Sequence, residues 1–242
     1  MPCVFGGRVF PPGWRGSGWV VGGLMRIVRL TDYQMAICKL FSEESAKTQQ
    51  RIEFGDTRTK PRSVKEIARD NMIGKMAEAA VCNILHECGD TQAAVNYEVL
   101  PRGMCDWYDL TVNGWALDVK STRCGKWLLF DCNKARFRGK SGTLPDVIVM
   151  CRTAWDTQRD APQGASVDVY GCISMDRLQR PDGTKVQILR AGEVIPGTGC
   201  RLQTDNFGIR VEDLTDFAVA AKWMMEHKKN TLGGTYGKEQ SA

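Results

Sequence analysis

Three side chains around one tight turn have the types and spacing to do chemistry together: Asp109, Asp118 and Lys120. They lie in CDWYDLTV and WALDVKST, two runs of alternating polarity joined by Asn113-Gly114, a dipeptide that favours a two-residue hairpin turn. Such a loop pairs Val112 with Trp115. Leu110 then faces Leu117, Asp109 faces Asp118, Tyr108 faces Val119 and Trp107 faces Lys120. Alternation collects Tyr108, Leu110, Val112, Trp115, Leu117 and Val119 on one apolar face, which must be core. The other face carries Trp107, Asp109, Thr111, Ala116, Asp118 and Lys120. Directly opposed residues have Cβ atoms about 4.5–5.5 Å apart, where like charges repel, so the two carboxylates call for a cation or a shared proton. A hard divalent ion such as Mg²⁺ (or Mn²⁺) suits oxygen ligands and needs only one or two carboxylates besides water and phosphate oxygens. Lys120 projects beside Asp118 and can hold a water or a phosphate oxygen next to that ion, which is equipment for attack on a phosphodiester. The competing reading is a surface ion cluster on a solvated sheet face. Asp106, at the strand's start on the apolar face, is the rival to Asp109.

Elements on either side must hold the hairpin. Thr31 or Asp32 caps a helix whose apolar residues are Tyr33, Met35, Ile37, Leu40 and Phe41. After the polar FGDTRTKPRS, Ser63 and Glu66 form a capping-box pattern that opens a long helix reaching Cys88 and closed by Gly89. Its inward stripe is Ile73, Met76 or Ala77, Ala80, Val81, Ile84 and Leu85, with Arg69-Asp70-Asn71 as a point of interruption. Beyond the hairpin, KWLLF, DVIVMC, SVDVYGCI, KVQIL, RLQT and FGIRV read as short strands, and a helix spans roughly 214–227. The order predicts an α/β or α+β core.

At this point the residues resemble the PD-(D/E)xK nuclease superfamily, the restriction-endonuclease-like fold in its phage and bacterial form. Asp109 followed by Asp118-Val119-Lys120 across a short hairpin is similar to its motif, with Tyr108-Asp109 in place of Pro-Asp and Asp118 in place of the commoner Glu. Gly74-Lys75-Met76-Ala77-Glu78 resembles the helix that supplies a further acid in that family. The likeness covers roughly residues 63–180 and implies a mixed central sheet flanked by helices with an αβββαβ core. It further implies a Mg²⁺-dependent deoxyribonuclease. Glu78, Asp109 and Asp118 would hold one or two ions with the Val119 carbonyl as an extra ligand, and Lys120 would orient the attacking water. The expected products are a 5′-phosphate and a 3′-hydroxyl. Ser121 and Thr122 either support this site or end the strand.

The densest positive segment follows directly. Lys120, Arg123, Lys126, Lys134, Arg136, Arg138 and Lys140 are opposed in that window only by Asp131. Beside the carboxylates they lean toward the DNA backbone, without any sign of base readout; each alone is equally compatible with a solvated loop. Lys134 is the choice for the lysine that relatives place after the Asp-x-Lys strand. Trp107 and Trp127 either pack under the sheet or stack on bases, with packing preferred.

Composition narrows the alternatives. Of 242 residues, 43% are hydrophobic and 25% charged, the proportions of a globular protein, which excludes wholesale disorder and coiled-coil rods. No apolar run approaches the roughly 20 residues of a membrane helix. The net charge of +5 permits a polyanionic partner without demanding one. Two histidines exclude a multi-histidine metal centre. The absence of any CxxC argues against zinc at His86-Glu87-Cys88 and against an iron–sulfur cluster. Gly139-Lys140-Ser141 lacks the leading glycine and strand of a phosphate loop. The ten cysteines read as reduced core thiols of a cytoplasmic protein. Residues 1–24 read as a disordered leader, with Met25 as the natural start. Residues 25–62 are expected as an N-terminal helical segment, 63–180 as the nuclease core, and 181–242 as an extension packing on it, frayed from about 230. A homodimer is compatible with the sequence. The expectation is a Mg²⁺-dependent DNA nuclease; the alternatives are a non-catalytic nucleic-acid-binding protein on the same fold and a domain whose acidic hairpin binds a structural metal.

Overall fold

The computed structural model describes residues 25–49, 62–100, 108–122 and 125–229. The leader, Asp106, Trp107, Arg123 and the tail from 230 lie outside the described residues. The elements run β1 (Arg26–Arg29), α1 (Asp32–Gln49), α2 (Val64–Glu87), β2 (Leu110–Val112), β3 (Trp115–Thr122), β4 (Trp127–Asp131) and α3 (Cys132–Lys140). They continue with β5 (Val147–Asp156), β6 (Ala161–Ser174), the short α4 (Met175–Leu178), β7 (Val186–Leu189), β8 (Asn206–Arg210) and α5 (Phe217–Glu226). This is the mixed α/β class expected. From α2 to β5 the order is helix, three strands, helix, strand.

Two sheets divide the strands. One has the order β1-β6-β5-β3-β2, the other β4-β8-β7. Within the first, β3 pairs β2 antiparallel and β5 parallel, so the hairpin strand sits between two neighbours rather than at an edge. Leu110, Val112, Trp115, Leu117 and Val119 enter a core shared with α2 and α5, as their alternation requires. The opposite face is covered too. There Ile148 and Met150 of β5 meet Leu128 and Phe130 of β4, Ala135 of α3 and Ile209 of β8 in a second core. Asp118, on that face, is therefore 4% exposed, against the competing reading of a solvated surface ion cluster.

Local signals explain the helices. At the start of α2 the Ser63 hydroxyl accepts from the Glu66 N–H while the Glu66 carboxylate accepts from the Ser63 N–H. The helix runs unbroken through Arg69-Asp70-Asn71 and stops before Gly89, whose φ of +109° few other residues adopt. With α1 on one side and the sheet on the other, burial reaches nearly all round it and takes in Lys75 and Glu78. Thr31, not Asp32, caps α1, exchanging bonds with the N–H and side chain of Gln34.

Several expectations need correction. The inward residues of α1 are Cys38, Ser42, Ser45 and Ala46, while Tyr33 and Leu40 are 75% and 63% exposed. Small residues face α2 because the two helices pack closely, with Asn71 donating to the Ser45 hydroxyl at 3.1 Å. The segment expected to be only helical begins with β1, a strand on the edge of the sheet beside β6. RLQT forms no strand beyond a single Val194–Arg201 bridge. The C-terminal extension packs on the core by splitting: β7 and β8 build the second sheet on β4, and α5 joins the first core. All seven described cysteines are free and four of them are buried. Among the described residues, no helix is long and apolar enough to cross a membrane.

Candidate functional site

The hairpin has the expected turn. Asn113 and Gly114 take φ of +47° and +84°, and the pairs are Val112–Trp115, Thr111–Ala116 and Leu110–Leu117. The register holds to that point and then tightens. The Asp109 N–H donates to the Leu117 carbonyl at 3.0 Å, so the ladder stops before an Asp109–Asp118 pair can form. The Asp109 side chain continues it instead, with Oδ2 accepting from the Val119 N–H at 2.6 Å. Val119 thus meets the acid through its amide. The shift also moves Tyr108. Expected in the apolar core, its ring instead lies 5.9 Å from the Arg138 guanidinium.

Asp118 is the centre of the charges. Its Oδ1 accepts from Arg138 at 3.0 Å, and its Oδ2 pairs with the Lys120 ammonium. Burial alone would raise its pKa. The charge and hydrogen bond of Lys120, followed by Lys134 and Arg138, outweigh burial and hold the carboxyl below the ordinary aspartate value. Asp109 goes the other way. Burial first and the Asp118 charge second push it up, against Lys120, the Val119 N–H and Lys75. Two carboxyls displaced in opposite directions at one place are a mark of functional sites.

The helix α3 roofs the site. Asp131 caps it by accepting from the N–H groups of Asn133 and Lys134, where a loop had been an option for this basic segment. Lys120 and Lys134 lie 5.8 and 5.9 Å from the centre of the Phe130 ring. Burial and the neighbouring Lys120 push Lys134 below the ordinary lysine pKa. The charge of Lys134 acts on both Asp118 and Lys120. Arg138 does not reach outward to a DNA backbone as expected. It is 4% exposed and fixed between Asp118 and the Thr143 carbonyl, to which Nε donates at 2.9 Å. Arg136 and Lys140 are exposed on α3. Lys126 is exposed as well, but its ammonium donates to the Gly197 carbonyl at 2.7 Å. Trp127 is buried, donates to the Pro196 carbonyl and stacks with Arg210, so it packs as preferred. The Ser121 hydroxyl bonds Thr153 at 3.3 Å within the sheet.

Glu78 is tied to Lys75, whose charge also reaches Asp109. The Glu78 Oε2 accepts from Lys75 at 2.6 Å, and its charge is felt by Cys38 and Tyr97 on the α1 side. Lys75 lies 4.7 Å over the Phe41 ring. Among the described residues, no three His, Cys, Asp or Glu side chains come together as a metal-holding group. Lys75 and Glu78, three apart on a buried helix, neutralise each other. That spacing was a signal available in the sequence.

The remaining donors still suit a hard cation. Asp109 and Asp118 supply oxygen only, and the Asp118 charge adds to burial in raising the Asp109 pKa. Comparisons of the chain with protein-family models, with curated proteins and with solved structures found no match.

Proposed function

We propose that the chain is a metal-dependent deoxyribonuclease similar to the PD-(D/E)xK enzymes. One observation carries the reading: two enclosed carboxyls, held apart in pKa, lie on a hairpin with Lys120 and Lys134 gathered over the same aromatic ring. Asp109 and Asp118 would hold Mg²⁺ or Mn²⁺, which supplies charge stabilisation and an activated water. The protein's own groups do the rest. Arg138 fixes one oxygen of Asp118 and leaves the other facing Lys120. Lys120, with 31% of its side chain exposed, is placed to orient a water and meet a phosphate oxygen. Lys134, its charge weakened by burial and by Lys120, is the second group able to offset charge on the phosphate or release a proton to it. Free, largely buried thiols fit a cytoplasmic setting.

The test is incubation with plasmid and with single- and double-stranded oligonucleotides in Mg²⁺, Mn²⁺ or EDTA. Cleavage should need the metal and fall by about 10²-fold or more in Lys120→Gln and Asp118→Asn. Absence of cleavage of every DNA, or unchanged cleavage in both variants, overturns it. The Lys75–Glu78 pair favours a second reading, a DNA-binding protein without catalysis, because the helix acid is already neutralised by a lysine. Binding in EDTA together with no cleavage in metal would select that reading.

A further inference from the structure

The outer face of α3 carries an unusual pairing of groups. Ala135 and Arg138 point inward and are buried. Asn133, Arg136, Phe137 and Lys140, spaced three and four apart, share the opposite face. Phe137 is 65% exposed, a large apolar surface for a helix whose inward residues are well packed. It is flanked by Arg136 and Lys140, and the helix holds four cations and no acid inside its span. The preceding turn carries Lys134, whose charge acts on the Asp118 carboxylate, and the following residue, Arg138, bonds that carboxylate. An exposed ring among cations, one residue from a group that touches the proposed site, matches a stacking platform set in a phosphate-binding surface.

From this juxtaposition we propose that Phe137 stacks on an unpaired base of a nucleic-acid strand, while Arg136 and Lys140 hold the flanking phosphates. The proposal rests on the nucleic-acid reading above and deepens it: the preferred substrate is DNA with single-stranded character beside the cut, such as a flap, gap or branch, in place of a fully paired duplex. A ring face stacks on any base, so the preference is for structure and not for sequence. A fully paired duplex offers α3 phosphates only.

Binding in EDTA isolates this step from cleavage. Fluorescein-labelled single strands, a flapped duplex and a blunt duplex of the same length are titrated with the full chain and with Phe137→Ala, Phe137→Leu and Phe137→Trp. Because Phe137 is exposed, all four proteins should share one melting temperature. Ala and Leu should weaken binding to the single strand and the flap about tenfold, the order of one lost base–aromatic stack, and leave the blunt duplex unchanged. Trp should restore it. Arg136→Ala with Lys140→Ala should weaken all three DNAs and flatten the salt dependence. Wild-type binding that Ala and Leu leave intact, or an equal loss on the blunt duplex, overturns the Phe137 role while the nucleic-acid reading stands. Failure of the wild type to bind any of the DNAs removes both.

Discussion

Replacing Asp109 with Asn should stabilise the protein at neutral pH while abolishing the proposed cleavage. Burial and then the Asp118 charge raise the Asp109 pKa, and Lys120, the Val119 N–H and Lys75 offset them only in part. A raised folded pKa means that the native state takes up the proton more readily than the unfolded chain. The linked stabilisation is complete below the ordinary aspartate value of about 3.9 and disappears as pH rises through the folded pKa. At pH 7 the charge is thus a cost. Asn keeps an oxygen for the Val119 N–H, held at 2.6 Å, and removes the repulsion. Like charges pressed together on neighbouring strands cost on the order of 0.2–1 kcal/mol. A chain of this size would gain about 1–4 °C in Tm, reduced somewhat by exchanging a charged acceptor for a neutral one. Thermal unfolding in EDTA at pH 7 and at about pH 3.5 reads the effect. The gain should be present at the first pH and vanish at the second, and added Mg²⁺ should raise the Tm of the wild type more than that of the variant. A variant less stable at pH 7, or more stable by the same amount at both pH values, refutes the reasoning.

Removing the roof's buried cation should be far costlier. Arg138→Met takes the donor from Asp118 Oδ1 and from the Thr143 carbonyl, and urea denaturation should show a loss of about 3–5 kcal/mol, much less than additive with Asp118→Asn. Asn113 holds a φ of +47° and donates to the Met224 and Met225 carbonyls at the end of α5, so Asn113→Ala should cost about 1–2 kcal/mol. Asn113→Gly should recover the turn but not those bonds. Gly171, at φ +147°, would place a Cβ 2.5 Å from the Thr215 carbonyl oxygen; Gly171→Ala should cost about 2 kcal/mol or more in the same assay.

The parts of the site that depend on adjacent residues were legible in the sequence. Ser63 and Glu66 marked the start of α2, and Asn113-Gly114 fixed three cross-strand pairs and the apolar face of the hairpin. What failed depends on partners distant in the chain. The chemical face looked open because nothing in WALDVKST foretells that β4, α3 and β8 cover it. Arg138 was indistinguishable from Arg136 in ARFRGK, yet half a helical turn buries one and exposes the other. The one-residue slip at Asp109 arises where the carboxylate outcompetes a main-chain partner, a choice that alternation of polarity does not encode. Glu78 was placed by analogy to the hairpin, and its own neighbour Lys75 claimed it.

The pairing of β4 with β8 has a consequence for assembly. The roof over Asp118 is anchored by residues made much later: the Thr204 hydroxyl bonds the Asp131 carboxylate at 2.5 Å, and the Cys132 N–H bonds the Asp205 carbonyl at 2.9 Å. A nascent chain can close the hairpin once β3 follows Asn113-Gly114, since that contact is local, but residues some ninety positions beyond the turn are needed to seat α3. Asp118 and Lys120 therefore come together before Arg138 can be seated on the carboxylate. Until β8 is made, the hairpin lacks the strand that anchors its roof.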